Sequence, residues 1–202
     1  GGIAQSIHIP SLKRSEGVET TAIADVNQKK LRYVGEKFGI RYTFTDWEKL
    51  LETDIDAVII CSPNALHAEQ SIKAMRSGKD VLCEKPVCLT SKEAEDIFSV
   101  ADKTKKIFMA AFPRRFSGEA KVLKPMIDRG EFGEIYYIKA SYLRRRGIPG
   151  LGTWFTDKKL AGGGPMMDVG VHMLDLVIYL SGAPEPEIIF GTKYEKFKDK
   201  AT

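Results

Sequence analysis

One helical segment of the sequence carries three ionisable side chains among apolar residues. Asp168, His172 and Asp175 are spaced four and three residues apart, which places them in one stripe on one face of a helix. Most of the other residues from 166 to 178 are apolar, so the helix is expected to be buried. Because buried ionisable groups are costly unless they are paired or used, the stripe indicates proton chemistry or, alternatively, an internal Asp–His network that locks the helix.

A second candidate is Lys85, which stands between Glu84 and Pro86 after a short apolar run. A lysine at the end of a buried strand, held by a following proline, has little structural purpose, and a cis Lys85–Pro86 bond is one way to aim it. Its ammonium would stabilise negative charge on an oxygen or share in proton transfer. The ordinary pKa of histidine, about 6.5, suits His172 as a general base, and Asp168 would orient its ring or bind a substrate. Whether Lys85 or His172 takes the proton stays open.

The start of the chain contains part of a dinucleotide-binding fingerprint, G-x-G-x-x-G/A. Gly1 fits its second glycine and Ala4 its third small residue, with Gly2 and Ile3 between them, while the first glycine would precede residue 1. Asp25 follows the first β-forming run, where the acid that binds the ribose hydroxyls belongs. Its charge favours NAD over NADP, because it would repel a 2′-phosphate. The alternative is that the two glycines are a tag remnant and Asp25 caps the following helix.

Two further strand ends carry polar residues that would lie at the rim of the nucleotide crevice. Ser62, Asn64 and His67 follow one apolar run, and Glu84 and Lys85 follow the next. In open α/β sheets, ligands bind beyond the carboxyl ends of the strands, so these residues are predicted to contact the cofactor. The alternatives are that Asn64 is a helix cap and that His67 is a surface residue of a first helical turn.

These candidates need a framework of alternating strands and helices. Short runs rich in β-forming residues lie at 20–24, 57–61, 81–83 and 107–112. Helical patterns separate them, and two of these open with the capping box, Thr45-x-x-Glu48 and Thr90-x-x-Glu93. This alternation predicts an α/β domain with a doubly wound, parallel Rossmann sheet over residues 1–115.

The pattern changes near residues 113–118, and a second domain is predicted over residues 116–202. Its elements are a helix at 119–129, a strand at 135–143, a loop rich in Gly and Arg at 144–164, and a helix at 166–180. Loops of about twenty residues inside compact domains are usually functional or mobile. Since only one strand is recognisable, the sheet of this domain is incomplete in the sequence.

Arginine and aromatic residues in and before this loop are candidates for substrate binding. Arg144, Arg145 and Arg146 would bind acidic or heavily hydroxylated groups, or would form a solvated basic loop. Arg114 follows the last strand of the first domain and is assigned to the substrate, with a solvent-facing position as the alternative. Trp154 would stack on a sugar face, and core packing is the alternative for it.

Together these motifs resemble the glucose-fructose oxidoreductase, inositol dehydrogenase and MocA (Gfo/Idh/MocA) family of NAD(P)-dependent oxidoreductases. The resemblance covers the whole chain and rests on motifs in both halves. They are Gly1-Gly2-Ile3-Ala4, Asp25, Ser62-Pro63-Asn64-x-x-His67, Glu84-Lys85-Pro86, Ile127-Asp128-x-Gly130-x-x-Gly133 and Gly162-Gly163-Gly164-x-x-x-Asp168-x-Gly170-x-His172-x-x-Asp175. The last of these, in order after Glu-Lys-Pro, is specific.

The resemblance implies a substrate site lined by Lys85, Asp168 and His172, with NAD as the cofactor. It implies hydride transfer between the cofactor and a secondary alcohol of a sugar, cyclitol or related polyhydroxy compound. The second domain would have an open, mainly antiparallel sheet that mediates contacts in a homo-oligomer. An NAD-dependent glycosidase of the same fold and a catalytically silent NAD-binding regulator are the alternatives. The three retained residues argue against silence, because a non-enzyme needs none of them.

Composition argues against several other classes of protein. The formal net charge of +4 over 202 residues is too small and too dispersed to indicate nucleic-acid binding. No apolar run approaches the ~20 residues that cross a bilayer, so no membrane partner is expected. Cys61, Cys83 and Cys88 lack histidine partners at ligand spacing, and they are predicted to be reduced thiols of a cytoplasmic protein, with no metal site.

Overall fold

The computed structural model of the chain describes residues 1–143, 145 and 152–194, which form two compact units. The first unit comprises Gly1–Ser62, Leu66–Glu84 and Thr90–Met109, and the second comprises Pro63–Ala65, Lys85–Leu89 and the chain from Ala110 onward. The second unit therefore includes two short segments from the first half of the sequence. One of them contains Asn64 and the other contains Lys85.

Of the five strands in the described part of the chain, four pair in parallel, as expected of a doubly wound fold, and the predicted fold class is confirmed. The five strands are β1 (Ala22–Ala24), β2 (Tyr42–Phe44), β3 (Ala57–Ile60), β4 (Asp80–Glu84) and β5 (Phe108–Ala111). β1 pairs with β2 in parallel, β3 pairs with β4 in parallel, and β5 lies next to β4. The sequence did not predict β2, which is only three residues long and has two exposed side chains.

Helices alternate with the strands of the first unit, as the sequence predicted. A π-helical turn at Ala4–His8 continues into α1 (Ile9–Leu12), and α2 (Gln28–Phe38), α3 (Trp47–Leu51), α4 (His67–Arg76) and α5 (Ser91–Thr104) follow. The capping box of Thr90 and Glu93 is confirmed at the start of α5. The box predicted for Thr45 and Glu48 is wrong. Asp46 caps α3 instead, because it has extended backbone and its Oδ1 accepts the Glu48 N–H at 2.9 Å.

A buried apolar cluster holds the first helix in place. Ile9, Val34 and Ile40 form this cluster, and Ile23 and Phe38 pack against it. The cluster joins α1, which follows the turn at the start of the chain, to α2 and to β1. The core thus fixes the first helical turn of the chain, Gly1–Ala4, relative to β1, which ends just before Asp25. This first turn is called the glycine turn below.

The second unit consists mainly of helices and turns. They are a 3₁₀ turn at Pro113–Phe116, α6 (Gly118–Asp128), a 3₁₀ turn at Trp154–Thr156, α7 (Lys158–Ala161), a π-helical turn at Met166–Gly170 and α8 (Val171–Leu180). The strand predicted at 135–143 is wrong. No residue of that segment forms a ladder with another described strand, and Tyr136 and Tyr137 are almost fully exposed. The antiparallel sheet of this domain stays a prediction.

The helical segment from Met166 to Leu180 is less buried than its apolar sequence predicts. Met166 and Leu174 are exposed, and a groove of about 470 Å³ runs along the helix. The expectation of complete burial is wrong for this face, because the segment around Ala140 and Tyr142 borders the groove without filling it. Among the described helices, none combines the length and the apolar character that crossing a membrane requires.

Candidate functional site

Lys85 and Asp168 are in direct contact. The Lys85 Nζ donates hydrogen bonds to the backbone carbonyl oxygen of Asp168 at 2.6 Å and to Asp168 Oδ1 at 3.0 Å. The two side chains are 14% and 26% exposed, so the ion pair is shielded but still within reach of solvent. Two candidates that lie 83 residues apart in the chain therefore meet within the second unit.

Both partners lie at irregular points of the backbone, Lys85 directly after a strand and Asp168 in a π-helical turn. Lys85 follows the last residue of β4, and its peptide bond with Pro86 is cis, as the sequence suggested. Asp168 lies in the π-helical turn Met166–Gly170, and His172 is the second residue of α8, half-buried, directly after that turn. The π turn was not predicted, although such turns within helices are frequent at functional sites.

Asp175, the third residue of the predicted stripe, has a different partner. The Nε of Arg115 donates to both carboxylate oxygens of Asp175 at 3.0 Å, and a second guanidinium nitrogen also contacts Oδ1. This hydrogen bonding raises the pKa of the Arg115 guanidinium above its ordinary value. The guanidinium also lies over the rings of Phe112 and Tyr179, 5.7 and 5.2 Å from their centres. For Asp175 the helix-locking interpretation therefore fits, with Arg115 as a partner.

The glycine-rich turn before Asp168 is held by residues from the first half of the chain. Gly162 has φ +79°, and a Cβ on it would lie 2.4 Å from Cδ2 of Leu89. The buried Asn64 donates from Nδ2 to the carbonyl oxygen of Ala161 at 2.9 Å. Asn64 is not a helix cap, because Leu66 occupies the position before α4. Asn64 thus holds the turn that leads to Asp168, and its predicted contact with the cofactor stays a prediction.

The residues of the dinucleotide fingerprint lie together at the start of the first unit. The Gly1 amino nitrogen is 3.5 Å from Asp25 Oδ2, and a small cavity of about 50 Å³ is lined by Gly1, Ala4 and Asp25, among others. A Cβ on Gly1 would lie 3.3 Å from the Cys61 carbonyl oxygen, whereas one on Gly2 would meet nothing within 4 Å. Asp25 does not cap α2, because Asn27 does so.

These features fit a dinucleotide. The glycine turn leaves its backbone uncovered by side chains at Gly1 and Gly2, and Ile3 is exposed. The Asp25 carboxylate is 28% exposed and uses Oδ1 to accept the Asn27 N–H. Its Oδ2 faces the Gly1 nitrogen, on the side where a ribose hydroxyl of a dinucleotide would lie.

The loop after β3 is closed by its own polar residues. A ring nitrogen of His67 lies 2.9 Å from the Ser62 carbonyl oxygen, and the Ser62 hydroxyl donates to Gln70 Oε1 at 2.7 Å. His67 is only 1% exposed, so the interpretation as a surface residue is wrong. Both residues shape the loop, and their predicted contacts with the cofactor stay predictions.

Sequence reasoning missed His8. Its Nε2 lies 2.7 Å from Glu84 Oε1, and hydrogen bonds to Cys61 and to Glu84 raise its pKa from 6.5 to about 9, against the opposing effect of burial. The available signal was a histidine four residues after Ala4, one helical turn along the first helix. The predicted contact of Glu84 with the cofactor stays a prediction.

The remaining candidates are only partly described by the structure. Arg114 and Arg145 are exposed, and Trp154 stacks on Phe155 with ring centres 3.8 Å apart. Arg144 and Arg146 lie outside the described residues. The described contacts of Arg114, Arg145 and Trp154 do not bear on substrate binding, which stays a prediction for each of them. Over the described residues, no group of three or more His, Cys, Asp or Glu side chains could hold a metal ion.

Both halves of the chain match known family models. Residues 1–112 match the model described as "Oxidoreductase family, NAD-binding Rossmann fold", and residues 121–197 match the "GFO/IDH/MocA C-terminal domain". The cofactor-binding class predicted for the first half is confirmed by this match.

Named relatives and solved structures are similar to the chain over nearly all of its length. A D-glucoside 3-dehydrogenase of Escherichia coli (strain K12) is 34% identical, over 97% of this chain and 56% of the relative. A myo-inositol 2-dehydrogenase of Thermotoga maritima is 29% identical, over 91% and 53%. The structure of a levoglucosan dehydrogenase in complex with NADH and levoglucosan superposes with a TM-score of 0.80 at 27% identity, over 90% and 51%. The chain thus spans about half the length of the relatives it matches.

Proposed function

The chain belongs to the Gfo/Idh/MocA family of oxidoreductases, and from this premise we propose that the whole protein transfers a hydride between NAD and a secondary alcohol of a sugar, cyclitol or related polyhydroxy compound. The relatives support this substrate class, since they are dehydrogenases named for a D-glucoside, for myo-inositol and for levoglucosan.

The observation that carries the proposal is the Lys85–Asp168 ion pair next to the position of His172. An ammonium has three protons to donate, and the carboxylate at 3.0 Å fixes the direction of one of them. His172 follows Asp168 by four residues, across the junction of the π turn and α8. The arrangement combines a cation for an oxygen with an imidazole that can accept a proton.

Each residue then has a separate role. Lys85 binds the oxygen of the reacting carbon and stabilises the negative charge that develops when the hydroxyl proton leaves. Asp168 orients Lys85 through this ion pair, and its predicted role of orienting the imidazole or binding the substrate stays a prediction. Because Lys85 acts as an ammonium, which has no lone pair to accept a proton, His172 takes the hydroxyl proton. Bound NAD supplies the acceptor for the hydride.

The cofactor is assigned to the turn at Gly1–Ala4 and to Asp25. Backbone N–H groups at the start of a helix favour a pyrophosphate, because the helix dipole and the free donors both point to it. The Asp25 carboxylate would accept hydrogen bonds from the ribose hydroxyls and would repel a 2′-phosphate, which supports NAD over NADP.

Two further parts of the proposal concern the oligomeric state of the protein and the compartment in which it works. Exposed apolar side chains of the second unit, such as Ile188, Ile189 and Phe190, support a homo-oligomer formed through the second domain. Cys61, Cys83 and Cys88 are not joined in disulfides, which supports a reducing compartment such as the cytoplasm.

The test is a panel of glycosides, inositols and anhydrosugars, incubated with the full-length protein and NAD and followed by NADH absorbance. We expect NADH formation with at least one polyhydroxy compound, loss of most of it in His172→Ala, and no change in Lys92→Gln on the exposed face of α5. Binding of NADH without turnover of any compound would indicate a silent regulator. Release of sugar without net NADH would indicate a glycosidase.

A further inference from the structure

His8 and Glu84 form a shielded pair in the first unit. The Nε2 of His8 lies 2.7 Å from Oε1 of Glu84, and the side chains are only 14% and 16% exposed. His8 is the last residue of the π-helical turn at Ala4–His8, and Glu84 is the last residue of β4. None of the roles proposed above for proton transfer uses His8, so its pairing needs a separate explanation.

The contact joins two charged groups at neutral pH. The titratable groups that face His8 are the Cys61 thiol, at the end of β3, and the Glu84 carboxylate, at the end of β4. Their hydrogen bonds raise the pKa of His8 to about 9, so its ring is protonated at pH 7. A hydrogen bond between an imidazolium and a carboxylate is stronger than one between neutral groups, and it restrains both side chains.

Glu84 is the last residue of β4, which lies between β3 and β5. The register of β3 and β4 runs from Ala57↔Asp80 to Ile60↔Cys83, so Glu84 is one residue beyond that ladder. It is also the last residue of the first unit at this point, and the next residue, Lys85, belongs to the second. A side-chain anchor at Glu84 therefore restrains the residue from which Lys85 continues.

We propose that His8 is a positioning residue, which holds Glu84 and thereby fixes the start of the Glu84-Lys85-Pro86 turn, so that the Lys85 ammonium lies against Asp168. This inference rests on the proposed function, because Lys85 is the group whose place matters for the reaction. His8 touches neither substrate nor reacting atoms in this role.

The experiment measures the place of Lys85 directly and needs no turnover. The full-length protein is labelled with limiting acetic anhydride, and acetylation of Lys85 is compared by mass spectrometry with that of Lys103, an exposed lysine of α5. The variants are His8→Ala and Glu84→Gln, and the matched control is Asp96→Asn, which removes a carboxylate from an exposed ion pair. In parallel, kcat and the KM for NAD are measured with the substrate found in the panel.

We expect Lys85 to become several-fold more reactive in His8→Ala and in Glu84→Gln, because its ammonium is released from Asp168, and to stay unchanged in Asp96→Asn. We expect kcat to fall about tenfold, since small displacements of a reacting group are costly, with the KM for NAD unchanged. The double variant should be no worse than the worse single variant, because the two residues act through each other.

Unchanged Lys85 labelling together with unchanged kcat in folded Glu84→Gln would overturn the inference, and that variant keeps the size of the side chain in case His8→Ala does not fold. A rise confined to the KM for NAD would also overturn it, because His8 would then act on the glycine turn alone. Failure of the proposed function looks different, since the wild-type protein would show no turnover while the labelling result would still stand.

Discussion

The two ends of one helical segment carry ion pairs that differ in partner, geometry and burial. Asp168 binds a lysine, through one carboxylate oxygen and its own backbone carbonyl, and its side chain is 26% exposed. Asp175 binds the fork of an arginine through both oxygens, and its side chain is only 7% exposed. The rings of Phe112 and Tyr179 flank the guanidinium, so the second pair is also packed against aromatic side chains.

This difference separates a pair suited to chemistry from a pair suited to structure. The Arg115 guanidinium does not give up its proton in proteins, and Asp175 raises its pKa further, so this pair takes no part in proton transfer. A lysine ammonium is a compact charge on a flexible stem, and it can reach a substrate oxygen from its place beside Asp168. The spacing of the three ionisable residues thus describes two sites rather than one.

The largest expected effect is on catalysis at the lysine pair. Lys85→Met should lower kcat/KM by about 10²–10³-fold, because it removes the cation at the reacting oxygen. The loss of stability should be at most about 1 kcal/mol, since a partly exposed ion pair contributes little. Turnover is measured with the substrate found in the panel, and stability by urea unfolding of the full-length protein.

Lys85→Arg sharpens the same comparison, because it keeps the charge and the partner but changes the shape of the donor. We expect stability to be retained and most of the activity to be lost. Full activity in Lys85→Met would remove Lys85 from the proposed mechanism, and a large loss of stability would make it a structural residue like Arg115.

The second effect is on stability at the arginine pair. Arg115→Ala should lower the free energy of unfolding by about 3 kcal/mol, because it leaves the buried Asp175 carboxylate without its cation. Adding Asp175→Asn should restore part of that loss, since an amide is less costly to bury than a lone charge. Urea unfolding of the full-length protein measures both changes.

The neighbouring Arg114→Ala is the matched control for stability, because Arg114 is exposed. Its unfolding midpoint should equal that of the wild type. If Arg115→Ala also unfolds at the wild-type midpoint, the arginine pair is not structural and the contrast between the two ends of the helix fails.

Local signals explain why much of the fold could be predicted. Consecutive apolar residues gave β3 and β4, and the Thr90–Glu93 box fixed the start of α5, since short-range hydrogen bonding decides such features. The strand expected at 135–143 failed for the opposite reason. Its alternating pattern is local, but a strand needs a partner, and none of the described strands pairs with it.

The resemblance placed Lys85, Asp168 and His172 in one site, but the hydrogen bonds between these and other candidates were not predicted. Spacing along a helix put Asp168 and His172 on one face, yet no periodicity could reveal that Lys85, 83 residues away, donates to Asp168. The partners of Asp175 and Glu84, Arg115 and His8, are equally remote in the chain. Contacts of this kind depend on how whole helices and strands pack together. A single sequence predicts such contacts only where a known motif already implies them.

The smallest effect concerns a third pair, in the other unit of the molecule. His8 keeps its proton up to about pH 9 in the folded protein, whereas the ordinary pKa of 6.5 applies in the unfolded chain. Between these values the folded state binds more protons, so the stability that His8 contributes is complete below pH 6.5 and is lost as the pH rises through about 9.

The thermal midpoint of the full-length protein should therefore fall by a few degrees more between pH 6.5 and pH 9 than that of His8→Gln, which donates a hydrogen bond but does not titrate. Other thiols and amines that titrate in this range are common to both proteins and cancel in the difference. The Cys61 thiol contacts His8 and does not cancel, so the comparison is repeated with Cys61→Ala in both proteins. Parallel profiles would mean that the Glu84 carboxylate does not hold a charged ring. The pair beside Lys85 would then resemble a neutral hydrogen bond, and it would restrain the Glu-Lys-Pro turn less firmly than Arg115 restrains α8.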